Sequence, residues 1–402
     1  MAKVIGLNSG SSFDGLDVVL AEVDISDEGK LTKPKFIDGD SVQWPEEVAK
    51  DVLLAINNNF SVFDLTRLNY EIGAVFAEAA AAMMEKHGLS GEDVAVIGYD
   101  GQSIYQQSTD PEKMSKLPTD ARLYQKWREG GYGYGLYLGE PAVVATHTNT
   151  KVVTRFRPID HGLAGTGAPL IQYIDYVLLQ DELPSLTLNI GGIANIHYVR
   201  DREHMRGFDT GPGNVMIDQA MRRYFGREFD KDGAIAASAS VNEEMMQELL
   251  SHPYLPKPAP KNLWRSDFGL VWADEVFDKY DAKGVAPEDI VATATQYTAE
   301  CVGVALKLIP EVDEVSELIA SGGGTLNKTL MAAIEKLLPA GLSLSVLDDH
   351  GFPNMYKEAL EGAIHAFSTI NGIAANSPMA EGASAFAMLG EITEPPRLAK
   401  WS

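Results

Sequence analysis

Two short apolar stretches, each doubling back on itself through glycine, restrict this chain more than anything else in it. Lys3–Leu7 reads as a strand that ends in Asn8-Ser9-Gly10-Ser11-Ser12-Phe13-Asp14-Gly15, and Leu16–Val23 reads as a strand again. That pattern predicts a β-hairpin whose glycine- and serine-rich turn carries one carboxylate. Ser185–Ile190, Gly191-Gly192 and Ile193–Val199 repeat the plan about half a chain later. The two share little identity, yet hairpins so placed predict two related halves. At 402 residues and 45% hydrophobic, the chain is long and apolar enough for two domains of ordinary size.

Between the hairpins, Leu65, Leu68, Ile72, Val75, Phe76, Ala79 and Met83 trace one face of a long helix that Gly88 ends. A strand at Val94–Gly98 meets the turn Tyr99-Asp100-Gly101-Gln102-Ser103, and Ser108–Tyr134 reads as a long polar loop or flap. A helix near Pro141–Thr146 and a strand Val152–Phe156 follow, and Gly165-Thr166-Gly167-Ala168-Pro169-Leu170 opens another helix. Four prolines make Pro253–Asn262 an extended connector. A helix over Pro287–Leu308 leads to a strand at Leu318–Ala320 and then to Ser321-Gly322-Gly323-Gly324-Thr325-Leu326-Asn327, a third glycine-rich turn that opens a helix. Strands alternate with helices throughout, so the fold class is α/β with mixed sheets flanked by helices.

The stretch Gly207-Phe208-Asp209-Thr210-Gly211-Pro212-Gly213-Asn214 reads as a turn, with a helix starting at Val215 and Asn214 as its N-cap. Asp209 then lies just upstream of a helix start, where amides and the helix dipole favour a charged carboxylate that could act as a general base. Taken alone, the same carboxylate reads more readily as an ordinary Asp that caps a turn.

Charge removes several classes of function. Lys plus Arg total 33 against 57 Asp plus Glu, a net of −24, which argues against a nucleic-acid backbone or an anionic membrane surface as partner. A phosphorylated small ligand is compatible with that balance, because backbone amides and Mg²⁺ can hold it. The single cysteine, Cys301, falls on the apolar stripe of a predicted helix, so no disulfide forms within the chain. No apolar run reaches spanning length, and the eight histidines show no pair at metal-ligand spacing. The expected setting is cytoplasmic.

Each glycine turn is weak evidence alone. Together, the three provide places where bare backbone N–H groups can approach an anion. There is no Gly-x-x-x-x-Gly-Lys-Ser/Thr, and no Gly-x-Gly-x-x-Gly in a dinucleotide-binding context.

Paired hairpins on two halves resemble the actin-like sugar kinases, and one family of them in particular, the anhydro-N-acetylmuramic acid kinases with the related levoglucosan kinases. Asn8 to Asp17 resembles SGTSxDGxD, Asp100 to Ile104 HGQT(I/V), and Gly165 to Leu170 GxGAPL. Asn189 to Asn195 matches NIGGIAN, Phe208 to Asn214 is similar to FDxGPGN, Asp230 to Gly233 to DxDG, and Gly322 to Asn327 to GGGxxN. The matches keep their order from residue 5 to about residue 365.

That resemblance implies two RNase H-like (actin-like ATPase) domains with an interdomain cleft, residues 1–184 plus about 371–402 in one and 185–370 in the other. It implies ATP as phosphoryl donor with Mg²⁺, a small 1,6-anhydro sugar as acceptor, and a homodimer as one assembly. Asp209 matches the catalytic base. Asp100, Gln102, Arg157, Asp160 and Glu358 match substrate-binding positions, with Glu361 one turn beyond Glu358 as a competing alignment. Gly10, Ser11, Ser12, Phe13, Asp14, Gly15, Leu16 and Asp17 match one nucleotide-binding turn, with Asp14 oriented toward the metal. Gly191, Gly192, Gly211, Gly213, Asn214, Gly322, Gly323, Gly324 and Asn327 match the others.

The chain departs from the family pattern at Tyr99-Asp100, Arg155, Thr166 and Asn262-Leu263-Trp264-Arg265, positions expected around the sugar. Two functions follow. One is a kinase that opens a 1,6-anhydro sugar, either anhydro-N-acetylmuramic acid or levoglucosan, and phosphorylates O6. The other is a nucleotide-binding homologue that has lost catalysis and serves as sensor or scaffold.

Overall fold

The structure is a computed structural model that describes residues 1–9, 15–263 and 267–396. The chain forms two compact units, Met1–Gln180 with the segment from Tyr356 onward, and Asp181–Met355.

The first unit is built on a meander. β1 (Ala2–Asn8), β2 (Leu16–Val23) and β3 (Lys35–Val42) run antiparallel, and β1 is buried because neighbours cover it on both edges. β4 (Val94–Tyr99) adds parallel to β1. A separate two-stranded sheet pairs β5 (Gln102–Gln107) with β6 (Tyr134–Leu138). β7 (Val152–Thr154) lies parallel to β4, and the strand Glu391–Thr393 closes the far edge antiparallel to β7.

The helix Lys357–Ile370 packs across β1 and β4. It comes so close because Gly6 and Gly98, which face each other in the β1–β4 register, present bare backbone. A Cβ at Gly6 would stand 1.9 Å from the Ala359 carbonyl oxygen, and one at Gly98 2.0 Å from that of Gly362. This contact draws the helix into the first unit, so the second crossing between units falls after Met355 rather than near residue 371. Next to it the buried Lys357 ammonium meets the buried Asp175 carboxylate at 2.5 Å.

The second unit repeats the plan. β8 (Ser185–Ile190), β9 (Ile193–Val199) and β10 (Met205–Pro212) form an antiparallel meander, and β11 (Glu317–Ser321) and β12 (Ser343–Val346) extend it in parallel from β8. The order β10-β9-β8-β11-β12 has the strand directions of β3-β2-β1-β4-β7. The duplicated meander with parallel additions is the RNase H-like plan expected from the paired hairpins. Helix Pro287–Leu306 lies against β10 with Cys301 fully buried in the core.

Two local expectations change. Gly207 to Pro212 is strand, not turn: β10 is the sheet's edge, so its glycines and final proline interrupt only one ladder, and a register shift between Asp209 and Gly211 absorbs the irregularity. The segment 108–134 is not a loose loop either, because helices Pro111–Lys116 and Gln125–Arg128 lie between β5 and β6. There Trp127 packs on Tyr132 with ring centroids 5.4 Å apart, and its Nε1–H donates to the Gly133 carbonyl at 3.1 Å. These two aromatic side chains of the segment therefore pack against each other. Among the described residues, no helix is long and apolar enough to cross a membrane.

Candidate active site

In the second unit, three turns distant in sequence converge at the carboxyl ends of the parallel strands β8 and β11, where open α/β sheets bind ligands. Gly213 N–H donates to the Gly192 carbonyl and Asn214 N–H to the Gly191 carbonyl, each at 2.9 Å. Those amides tie helix Val215–Phe225 to the hairpin. Asn214 occupies the N-cap position, but its side chain donates to the Ile190 carbonyl at 3.3 Å instead of capping.

Glycine is required here for close approach. A Cβ at Gly213 would stand 2.3 Å from the Gly191 oxygen, and one at Gly324 2.2 Å from the Ile190 side chain. Gly322 has a positive φ of 87°. Gly323 differs: it is exposed, and a Cβ there would meet nothing nearer than Asn214 Nδ2 at 4.0 Å. It forms the open lip of the cluster. Asn327 faces inward and caps helix Lys328–Leu337 by accepting from Leu330 N–H at 3.0 Å. Asp230, of the DxDG turn, likewise caps Ile235 and Ala236 N–H at 2.9 and 3.0 Å.

Asp209 sits on β10 at the register shift, 7% exposed. Its Oδ2 accepts from Leu263 N–H at 2.6 Å, its carbonyl from the Tyr254 hydroxyl at 2.8 Å, and its N–H donates to the Lys261 carbonyl at 3.3 Å. A carboxylate on an edge strand, held by an N–H donor yet not fully buried, is well oriented to take a proton. Burial, with the Asp209 charge second, keeps Tyr254 protonated as a donor. Gly211, two residues on, faces the core: a Cβ there would lie 2.7 Å from Cys301 Sγ.

In the first unit the hub is Arg157, at the start of helix Arg157–Gly162. It pairs with Asp100 through Nε, donates from Nη1 to Gln106 Oε1 at 3.2 Å and to the Gly167 carbonyl at 3.1 Å, and stands 5.8 Å from the Tyr137 ring. Burial, the largest single influence, would lower the guanidinium, and Asp100, Tyr137 and Glu361 together more than reverse that. Asp100 also accepts from Phe156 N–H at 3.0 Å. The departure at this position is thus absorbed by an ion pair. Arg157 does not pair with Asp160, which is wholly buried and accepts from Gly167 N–H at 2.8 Å. Burial raises the Asp160 carboxyl above its ordinary range, so this residue shapes the Gly165–Leu170 loop from within and does not offer a surface to a ligand.

Gln102 is likewise buried, accepting from the Ser9 hydroxyl at 2.7 Å. Glu358 is half-buried and accepts from Asn8 Nδ2 at 2.7 Å, which ties the first hairpin to helix Lys357–Ile370. Glu361, the competing alignment, is close enough to Arg157 to stabilise its charge. Gly10, Ser11, Ser12, Phe13 and Asp14, with the metal assignment of Asp14, lie outside the described residues, as do Trp264 and Arg265. Leu16 is core, and Asp17 accepts from the Ser41 hydroxyl across the β2–β3 pair. Gly15 precedes β2 with room around it, a Cβ meeting nothing nearer than the Val42 oxygen at 3.6 Å.

Two further departures are local. Arg155 is half-exposed and pairs with Glu391 at 3.1 Å, while the buried Thr166 hydroxyl donates to the Ala168 carbonyl at 2.8 Å and so fastens its own loop.

A family model described as anhydro-N-acetylmuramic acid kinase matches residues 2–395. The chain belongs to the anhydro-N-acetylmuramic acid kinase family. It is 36% identical over 401 residues to the anhydro-N-acetylmuramic acid kinase of Clostridioides difficile strain 630, with 98% of each chain covered. It is 34% identical to that of Francisella tularensis subsp. novicida strain U112, over 96% of this chain and 97% of the relative. Among solved structures it is similar to (R)-2-hydroxyglutaryl-CoA dehydratase component A of Acidaminococcus fermentans, with a TM-score of 0.42 at 13% identity, covering 92% of this chain and 98% of that one.

Set beside the family motifs, Gln106, Tyr137, Tyr254 and Lys261 are the polar groups that motif matching passed over. Gln106 had a signal, since it repeats the inward face of Gln102 and Ile104 at the period of two that a strand imposes. Lys261 had none, because a lysine in a proline-rich connector reads as solvated.

Proposed function

We propose that this protein is an ATP-dependent kinase of 1,6-anhydro-N-acetylmuramic acid, opening the anhydro bridge with water and phosphorylating O6. The observation that carries it is Asp209, its carboxylate held by the Leu263 amide and its main chain by the Tyr254 hydroxyl and the Lys261 carbonyl, in a chain that matches relatives named anhydro-N-acetylmuramic acid kinase over nearly their whole length.

Asp209 takes a proton from water as its oxygen attacks C1. The C1–O6 bond breaks, and O6 attacks the γ-phosphorus while the bond to the β-phosphate oxygen breaks, so ADP leaves. Water thus supplies the C1 hydroxyl, its second proton resting on Asp209. No second carboxylic acid is required, because the departing O6 is consumed by phosphoryl transfer instead of being protonated. Bare backbone at Gly191-Gly192 and Gly322 to Gly324 accommodates the phosphates, with Gly323 as the open position. Mg²⁺, bound with the nucleotide, supplies charge neutralisation, and its proposed holder Asp14 lies outside the described residues. Arg157, oriented by Asp100 and Gln106, contacts the sugar, and Asp160 and Gln102 hold the loops around it.

Relatives named for anhydro-N-acetylmuramic acid favour that sugar over levoglucosan. The departures at Asp100 and Arg155, on which a non-catalytic homologue would rest, each form an ion pair, with Arg157 and with Glu391.

ATP-dependent phosphorylation of a panel of anhydro sugars tests the reading: turnover of anhydro-N-acetylmuramic acid above levoglucosan is expected, and nucleotide binding with no turnover of any sugar would refute it. In the same assay Arg157→Met is expected to raise the sugar KM roughly tenfold to a hundredfold with the ATP KM little changed, the loss of charged hydrogen bonds. An unchanged sugar KM would make Arg157 purely structural.

A further inference from the structure

The proline-rich connector 253–262 has no part in the chemistry so far, yet it supplies the partners that hold Asp209. Within it lies Lys261, a lysine only 8% exposed. Its Nζ donates to the Leu255 carbonyl at 2.9 Å and to the Tyr254 carbonyl at 3.4 Å, and stands 4.5 Å from the Tyr254 ring centroid and 5.2 Å from that of Phe208. Two carbonyls and two ring faces form a cage suited to an ammonium ion. An aliphatic side chain of the same length would fill the space and leave both carbonyls without that donor.

The cage and the base share their parts. Tyr254 accepts from Lys261 with its carbonyl while its hydroxyl donates to the Asp209 carbonyl at 2.8 Å. Lys261 accepts from Asp209 N–H at 3.3 Å, and Leu263, two residues on, donates to the Asp209 carboxylate at 2.6 Å. Phe208, beneath the ammonium, is the residue before Asp209 on β10. Closing the connector on its own carbonyls therefore fixes the donors that aim the carboxylate. We propose that Lys261 is a positioning residue for the catalytic base, its ammonium locking residues 254–263 around Asp209 and placing a positive charge behind the carboxylate. This rests on the reading of Asp209 as the base.

The surroundings make the charge titratable in a useful range. Burial pulls Lys261 down to about 8, against the opposing pull of Cys301 and Asp209 and with a further push from Lys257. From helix Pro287–Leu306 it faces Cys301, pushed up to about 12 by burial, and Tyr297 beside it, also raised by burial, so both are neutral near pH 7. On the connector, burial keeps Tyr254 protonated and Lys257 acts on Lys261 as a like charge; on β10 the Asp209 carboxylate acts on it as an opposite charge. Lys261 is accordingly charged below about pH 8 and neutral above it, so its support of Asp209 is present at neutral pH and lost on the alkaline side.

The test is the pH dependence of kcat/KM for anhydro-N-acetylmuramic acid at saturating ATP, for wild type, Lys261→Met and Lys261→Arg, with melting curves and nucleotide binding to certify folding. The wild type is expected to show an alkaline limb near 8. Lys261→Met is expected to lose roughly tenfold to a hundredfold, to lack that limb, and to move the acid limb up by about one unit because the neighbouring positive charge is gone. Lys261→Arg keeps a charge that does not titrate there, so it retains the wild-type acid limb and also lacks the alkaline one. A wild type without the limb, or variants that keep both wild-type limbs, would overturn the proposal. Should Lys261→Met not fold, wild type and Lys261→Arg decide alone. An active Asp209→Asn would instead remove the base assignment; an inactive one, with unchanged Lys261 profiles, sinks only the role of Lys261.

Discussion

Asp209→Asn is expected to lower kcat for the anhydro sugar by roughly a thousandfold while nucleotide affinity stays within a few-fold, the scale of losing a positioned general base. The substitution suits the geometry. An asparagine amide oxygen can still accept from Leu263 N–H, and the backbone bonds to Tyr254 and Lys261 do not involve the side chain. The clamp therefore survives, and what is removed is the capacity to hold the water's proton. Single-turnover rates with pre-bound ATP isolate that step from product release. A variant within tenfold of wild type would show that water is deprotonated elsewhere and would leave Asp209 a structural residue of β10.

Gly98→Val is expected to be strongly destabilising, costing about 4 kcal/mol or more, out of the ~5–15 kcal/mol that holds a typical native fold together. A Cβ at Gly98 would stand 2.0 Å from the Gly362 carbonyl oxygen and 2.5 Å from the Ala366 Cβ. Both belong to a helix that cannot yield locally, and the strand cannot either, since β4 is paired on both edges, to β1 and β7. Overpacking of this kind ordinarily costs ~1–3 kcal/mol when side chains can adjust; backbone against backbone lacks that relief. Gly162→Ala is the control, with nothing within 4 Å of its added Cβ, and is expected to change stability by less than about 0.5 kcal/mol. Chemical denaturation with both variants checks the pair, and a Gly98→Val protein as stable as wild type would mean that the helix can retreat from the sheet.

The hairpins, the long helix ending near Gly88 and the helix bearing Cys301 were legible because each depends on a local period or a local breaker. So was the duplication, since the repeated hairpin is the meander's first turn in each unit. The strand character of Gly207 to Pro212 was not legible. Glycine and proline predict a break unless it is known that the strand has an edge to itself, and that depends on the rest of the sheet. Motif matching located Asp100 and Arg157 but not their pairing. The partner of Arg157 is Asp100, brought alongside by the parallel pairing of β4 with β7. Lys261 and Tyr254 escaped for the same reason, their significance lying in what a proline-rich segment wraps around.

The first unit is discontinuous: β1, β4 and β7 come early in the chain, while the helix that covers Gly6 and Gly98 begins only at Lys357. During synthesis on the ribosome the second unit, continuous from Asp181 to Met355, can therefore complete its core first. The opening strands meanwhile wait for their covering helix, with the seam meant for it still open to water. Truncations that stop before residue 357 should thus accumulate as aggregates, and a chaperone that shields early nascent segments would raise the yield of full-length protein more than one acting after release.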